Sequence, residues 1–259
     1  MLFRFVFILL FCLTSIEAKI IETKKISDVL PLIDEDTWLL VDLDNCMFES
    51  AQALGHANWF YDELQQRMQK GMSREEAISD AYPHWIKTQR VCKVKPLEEN
   101  FVPTLLLLQN KGITIMGLTH RQPSVADSTA KQVTSLGFDF LKTAPSKDSF
   151  SIPAKTPTLY FQGILFVGDY NKKIDIFEPF LSMIKKSPRK IVFIDDKRKN
   201  VDELEALTKY GIDYVGVHYT AIENAKPVYV REIAEFQYKF LDKIMSNEAA
   251  IMLMENGLE

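Results

Sequence analysis

One pattern recurs along this chain and limits its fold more than any other feature: a short apolar run, of strand length, that ends on a polar or acidic residue. It appears first as WLLVDLD, from Trp38 to Asp44. ITIMGLT (113–119), GILFVGD (163–169) and KIVFIDD (190–196) repeat it, and YVGVHY (214–219) adds a fifth apolar run after Gly211. Runs this short, rich in branched and aromatic residues, suit strands buried on both faces, as in a parallel sheet. Between them lie stretches with helical spacing, at roughly 98–110, 124–136, 172–186 and 200–210. This alternation predicts an α/β fold with a doubly wound parallel sheet. Ligands bind such sheets beyond the carboxyl ends of the strands, where Asp42, Asp44, Thr119, Asp195 and Asp196 fall.

The segment 50–95 breaks the alternation. It is polar and helix-like (YDELQQRMQKGMSREEAISDAY) and reads as a small helical cap inserted after the first core strand, leaving 19–49 and 96–259 as the core. Residues 141–160, with Pro153, Pro157 and many Ser, Thr and Lys, read as an irregular loop. LYFQG at 159–163 resembles a viral protease recognition site, yet it runs directly into an apolar strand and is taken as native sequence. The tail from about 227 has apolar residues at helical spacing and is expected to pack one or two closing helices on the core.

The first residues, MLFRFVFILLFCLTSIEA, place Arg4 before an apolar run and Ala18 before Lys19, the layout of a cleaved signal peptide spanning 1–18. The run is shorter than the roughly 20 residues needed to span a bilayer, so export without a stable membrane anchor is expected, to the periplasm or beyond. Removing it, Cys12 included, leaves only Cys46 and Cys92 and excludes a disulfide scaffold. A net charge of −4, with no basic run interleaved with aromatics, argues against nucleic acid as the partner.

Phosphoryl transfer needs an in-line nucleophile, a proton donor for the leaving oxygen, and positive charge for the phosphoryl oxygens. Asp42 and Asp44, two residues apart at a strand end, can converge on one ion and one substrate. Two crowded acids favour a cation, and magnesium suits a site of one or two carboxylates plus substrate phosphate, with Asp195 as a further ligand. Thr119 could donate to a phosphoryl oxygen, and Lys172 or Lys173 could neutralise charge. A lone D-x-D is a weak signal, since an acidic turn explains most such pairs. A receiver domain uses similar residues, but with its acidic pair first along the chain, whereas here the pair Asp195-Asp196 comes last.

In this order DLDNC, GLT, NKK and IDD resemble the four motifs of the haloacid-dehalogenase superfamily. LGHANWF and GLTHR look similar to a subgroup of unknown function often found in exported bacterial proteins, over roughly residues 20 to 240. The resemblance implies a HAD-like core in which Asp42 is the nucleophile and Asp44 protonates the leaving group and then activates water. It implies that Thr119 and Lys172 orient the phosphoryl group; spacing to Ile176 and Phe180 selects Lys172, with Lys173 the alternative. It further implies Mg2+ on the Asp42 carboxylate, the Asp44 backbone carbonyl and Asp195, with Asp196 nearby. Cys46, Met47 and Lys173 depart from the usual pattern.

His56 and Trp59 in the cap are candidate substrate contacts, against a bland reading as packing residues. Arg121, beside His120, could pair a second anionic group of the substrate or form a structural salt bridge. Cys46 reads as a small buried residue and not as a nucleophile. The expected function is a magnesium-dependent phosphatase acting on a small phosphorylated substrate, with phosphotransfer less favoured. The competing expectation is a HAD-like binding module without useful turnover, secreted toward an envelope or host partner.

Overall fold

The computed structural model describes residues 18–225 and 228–258. Of the leader expected at 1–18, residues 1–17, with Cys12, lie outside them. In chain order the core opens with β1 (Lys19–Thr23) and β2 (Thr37–Val41). Next come β3 (Phe48–Ser50), α1 (Ala57–Gln69), α2 (Arg74–Gln89) and β4 (Val94–Pro96). The chain then alternates through α3 (Phe101–Asn110), β5 (Thr114–Thr119), α4 (Ala126–Ser135), β6 (Leu159–Phe161), β7 (Ile164–Phe166), α5 (Lys173–Ile184), β8 (Lys190–Asp195), α6 (Arg198–Glu203) and β9 (Asp213–Tyr219). It closes with α7 (Arg231–Lys239) and α8 (Asn247–Glu255).

A seven-stranded sheet in the order β1-β9-β8-β2-β5-β7-β6 forms the centre, parallel except for β6. Its faces follow from strand alternation. Leu39, Val41, Ile115, Val192 and Ile194 point to one side, where Phe101, Leu105 and Val133 of α3 and α4 cover them. Leu40, Met116, Leu118, Ile191 and Phe193 point to the other, against Ile176, Phe177 and Phe180 of α5 and against Leu204 and Leu207. The fold is therefore α/β, with a mostly parallel sheet flanked by helices. β2 pairs with β5 on one side and β8 on the other, so the strand order reverses at β2.

Two local features depart from expectation. β1 is an added edge strand, whose two isoleucines fall short of the apolar run seen elsewhere. Within 141–160 the chain is irregular until Leu159, where LYF forms antiparallel edge strand β6 and turns back through Gln162 and Gly163. Both turn residues have positive φ (51° and 75°), the two-residue turn that matches strand twist. A Cβ at position 163 would sit 2.8 Å from the Phe140 backbone, so glycine is required twice over.

The inserted segment is helical as expected. α2 starts with a capping box, Ser73 with Glu76, a pairing visible in SREE. The short antiparallel pair β3 and β4 forms the stalk through which the chain leaves and re-enters the core. The tail packs differently from expectation. Ile233, Ala234, Phe236 and Ala250 join Ala53, Leu54 and Trp59 in a satellite cluster, so α7 and α8 close on the inserted helices and not on the sheet. Gln237 and Asn247 fix this contact by accepting from the backbone N–H groups of Leu54 and Ala53, at 2.9 Å each.

Candidate active site

Where the strand order reverses, the ends of β2, β5 and β8 lie side by side, bringing together residues far apart in sequence. Asp42 directly follows β2, held by its N–H donating to the Ile194 carbonyl at 2.9 Å. The chain then turns sharply: Asn45 takes φ 59°, a left-handed conformation asparagine tolerates, and the Phe48 N–H donates to the Leu43 carbonyl. This turn carries Asp44 around to the floor of a cleft of about 590 Å³ between the cap and the strand ends.

Lys173 is the hub of the buried part. Its Nζ donates to Asp42 Oδ1 and to Asp195 Oδ2, at 2.6 Å each, with the side chain fully buried. Burial alone would lower its pKa, but Asp195 and Asp42 outweigh that and hold the ammonium above its usual range. Lys172, the N-cap of α5, is exposed and lines the cleft. The lysine that meets the carboxylates is thus Lys173 and not Lys172. The helix starts at 173, and its first turn aims inward.

Asp42, Asp195 and Asp196 can each place one oxygen so that the three lie within 4.8 Å of one another. Asp195 is held in place: Lys173, the Lys197 N–H and Asn200 Nδ2 between them engage both oxygens. Among the described residues Asp42 Oδ2 has no protein donor. Burial pushes the Asp42 carboxyl up, as do Asp195 and Asp196 against the opposing Lys173. Asp196 is likewise raised, by burial and by Asp195. Three carboxylates against one ammonium leave excess negative charge, and an all-oxygen donor set fits a hard divalent cation such as magnesium. The Asp44 carboxylate is outside this group, which leaves only its backbone carbonyl for such a role.

Asp44 instead meets Arg121. Nε and Nη2 donate to the two Asp44 oxygens at 2.7 Å each, a bidentate pair, while Nη1 donates to Thr129 and Gln132. Gln132 Nε2 continues to the carbonyls of Gln89 and Cys92, at the end of α2, and Gln89 Nε2 reaches the Gly55 carbonyl. A buried relay therefore connects Asp44 with both ends of the cap. Arg121 is the salt-bridging residue of the two readings offered by the sequence. Thr119, at the end of β5, is buried, and its hydroxyl accepts from the Arg121 N–H at 3.2 Å.

His120 lines the cleft, with Nε2 3.2 Å from the Asn171 carbonyl; burial, then Lys173, push its pKa down to about 4, so the ring is neutral and Nε2 donates. His56 and Trp59 do not reach the cleft. His56 caps α1 by accepting from the Asn58 N–H and lies 3.7 Å from Glu49. Trp59 is buried against Trp85 and Tyr238 in the satellite cluster. Neither lines the cleft, and their contacts are those of packing and capping residues. Burial pushes both the Cys46 and Cys92 thiols up and keeps them protonated. Sequence reasoning missed Asn200 and Gln132, which touch the charged residues through spacing that only the fold reveals. It also missed the cleft aromatics of α1 and α2.

Fold and geometry define an α/β protein with a lysine-bridged carboxylate cluster where its mostly parallel sheet reverses order. The family described as "Protein of unknown function (DUF2608)" matches residues 20–251, and the chain belongs to it. A Chlamydia pneumoniae protein named "Putative outer membrane protein" is 34% identical over 87% of this chain and 85% of its own length. A Chlamydia muridarum protein of the same name is 32% identical over the whole of both chains. An uncharacterized Rickettsia prowazekii protein is 23% identical over 84% of this chain and 81% of its own. No solved structure matches the chain significantly. Among the described residues no helix is long and apolar enough to cross a membrane.

Proposed function

We propose that this protein is an exported, magnesium-dependent phosphatase with a haloacid-dehalogenase-like core, working through a phospho-Asp42 intermediate. The observation that carries the reading is the buried Lys173 ammonium, 2.6 Å from both Asp42 and Asp195, below a cleft that opens to Asp44. One ammonium here bridges two of three carboxylates clustered at converging strand ends, which leaves negative charge for a cation. The leader layout, with the names carried by the chlamydial relatives, supports an envelope or periplasmic setting.

In this reading Asp42 Oδ2 attacks phosphorus while the bond from phosphorus to the leaving oxygen breaks, and Asp44 gives that oxygen its proton. Water then loses a proton to Asp44, attacks the phosphoryl group, and releases phosphate and the Asp42 carboxylate. Lys173 fixes Oδ1, so that Oδ2 faces the substrate. Arg121 takes two of the roughly four acceptor sites of the Asp44 carboxylate and leaves the others for the proton. Asp42, Asp196 and Asp195 would hold magnesium, which when bound offsets the phosphoryl charge.

The test is phosphate release from a panel of phosphomonoesters by the chain starting at Lys19, beside Asp42→Asn. Release that needs both magnesium and Asp42 supports the reading. Release that persists in Asp42→Asn or in chelator overturns it.

A further inference from the structure

The cleft has two chemically different walls. On the cap side Phe60, Tyr61 and Leu64 share one face of α1, while Ile78, Tyr82 and Trp85 share one face of α2. Phe60 packs on Trp85 at 5.1 Å between centroids and meets Tyr82 edge-on at 6.4 Å, so the aromatic surface is assembled in advance. On the core side stand Lys172 and Lys197, with Arg74 on the cap rim. Arg121 and Lys199 already have acidic partners, Asp44 and Glu203. Among the described residues Arg74, Lys172 and Lys197 have no carboxylate in salt-bridge range. With Lys173 already balanced by two aspartates, these are the cations left for substrate oxygens.

Tyr61 and Tyr170 are each 52% exposed, and they stand on opposite walls, one on α1 and the other in the loop after β7. Tyr61 and Lys197 line the same cleft, one from the cap wall and the other from the core wall. Reading a bare sugar phosphate requires a dense set of donors and acceptors for its hydroxyls. This cap wall offers ring faces and aliphatic carbon instead. The volume, about 590 Å³, is in the range of pockets for small ligands.

We infer that the cleft selects a phosphomonoester whose leaving group carries a flat aromatic base, of the nucleoside 5′-monophosphate class. The ring lies against Tyr61 and the cap aromatics, and the phosphoryl oxygens face Lys172 and Lys197. This rests on the phosphatase reading for turnover, while the binding itself can be measured apart from it.

The test compares adenosine 5′-monophosphate with ribose 5-phosphate, which has an anomeric hydroxyl in place of the base. Calorimetry on Asp42→Asn with magnesium should give about tenfold tighter binding for the nucleotide, the gain expected of one stacked base. Tyr61→Ala and Tyr170→Ala, both at exposed positions, should bring the nucleotide close to the affinity of ribose 5-phosphate. Equal or weaker binding of the nucleotide, or a preference that survives both substitutions, overturns the inference. Base-dependent binding by a wild-type chain that releases phosphate from no compound would uphold the aromatic site and overturn the phosphatase reading. Efficient release from ribose 5-phosphate without a nucleotide preference would do the reverse.

Discussion

Two adjacent lysines end up in opposite environments, and the difference is testable one residue at a time. Lys173→Met leaves Asp42, Asp195 and Asp196 facing one another without their ammonium. Phosphate release should fall at least about 10³-fold, and unfolding free energy should drop by about 3–5 kcal/mol, the usual cost of breaking a buried pair. Lys172→Met should keep kcat and raise KM severalfold; equal losses in the two variants would contradict the assignment. His120 gives a pH signature. Its pKa is about 4 in the fold against an ordinary 6.5, so between those values the unfolded chain binds more protons. The stability is present above about pH 6.5 and declines as pH falls toward 4. His120→Asn should flatten that part of a plot of melting temperature against pH.

At the scale of elements, the tail and the cap depend on each other. Trp59 sits between Trp85 and Tyr238, and Trp59→Ala should cost about 3–5 kcal/mol. Protease cleavage within 228–258 should become faster in that variant, as followed by mass spectrometry; an unchanged cleavage rate would mean the tail is held by other contacts. This coupling was illegible in the sequence, because helical spacing in 231–255 shows that a face is buried and not which surface buries it. The central strands were legible for the opposite reason: with both faces covered, β2, β5 and β8 leave unbroken apolar runs. β1 and β6 are edge strands, and neither shows as an apolar run, since β1 carries only two isoleucines and β6 is three residues long. The carboxylates and Thr119 stood out because they end those runs. The choice between lysines did not, since one residue of helix phase decides it and α5 begins one residue later than spacing suggested. The relay from Arg121 through Gln132 to Gln89 joins three separate elements and has no local signature.

For the whole molecule, the proposed cation site carries a prediction for stability, because an ion bound only by the folded chain stabilises it. Magnesium at about 100 times its Kd should add about 2.7 kcal/mol and raise the melting temperature by several degrees. Asp196→Asn should remove much of that gain, and a melting temperature indifferent to magnesium in the wild-type chain would argue against the cation site. The most direct measurement traps the intermediate: quench the chain during turnover of a phosphomonoester with a good leaving group, digest it, and locate the phosphoryl group by mass spectrometry. The account predicts the label on Asp42, absent from Asp42→Asn. Rapid phosphate release with no label on Asp42, or with label on another residue, would contradict it.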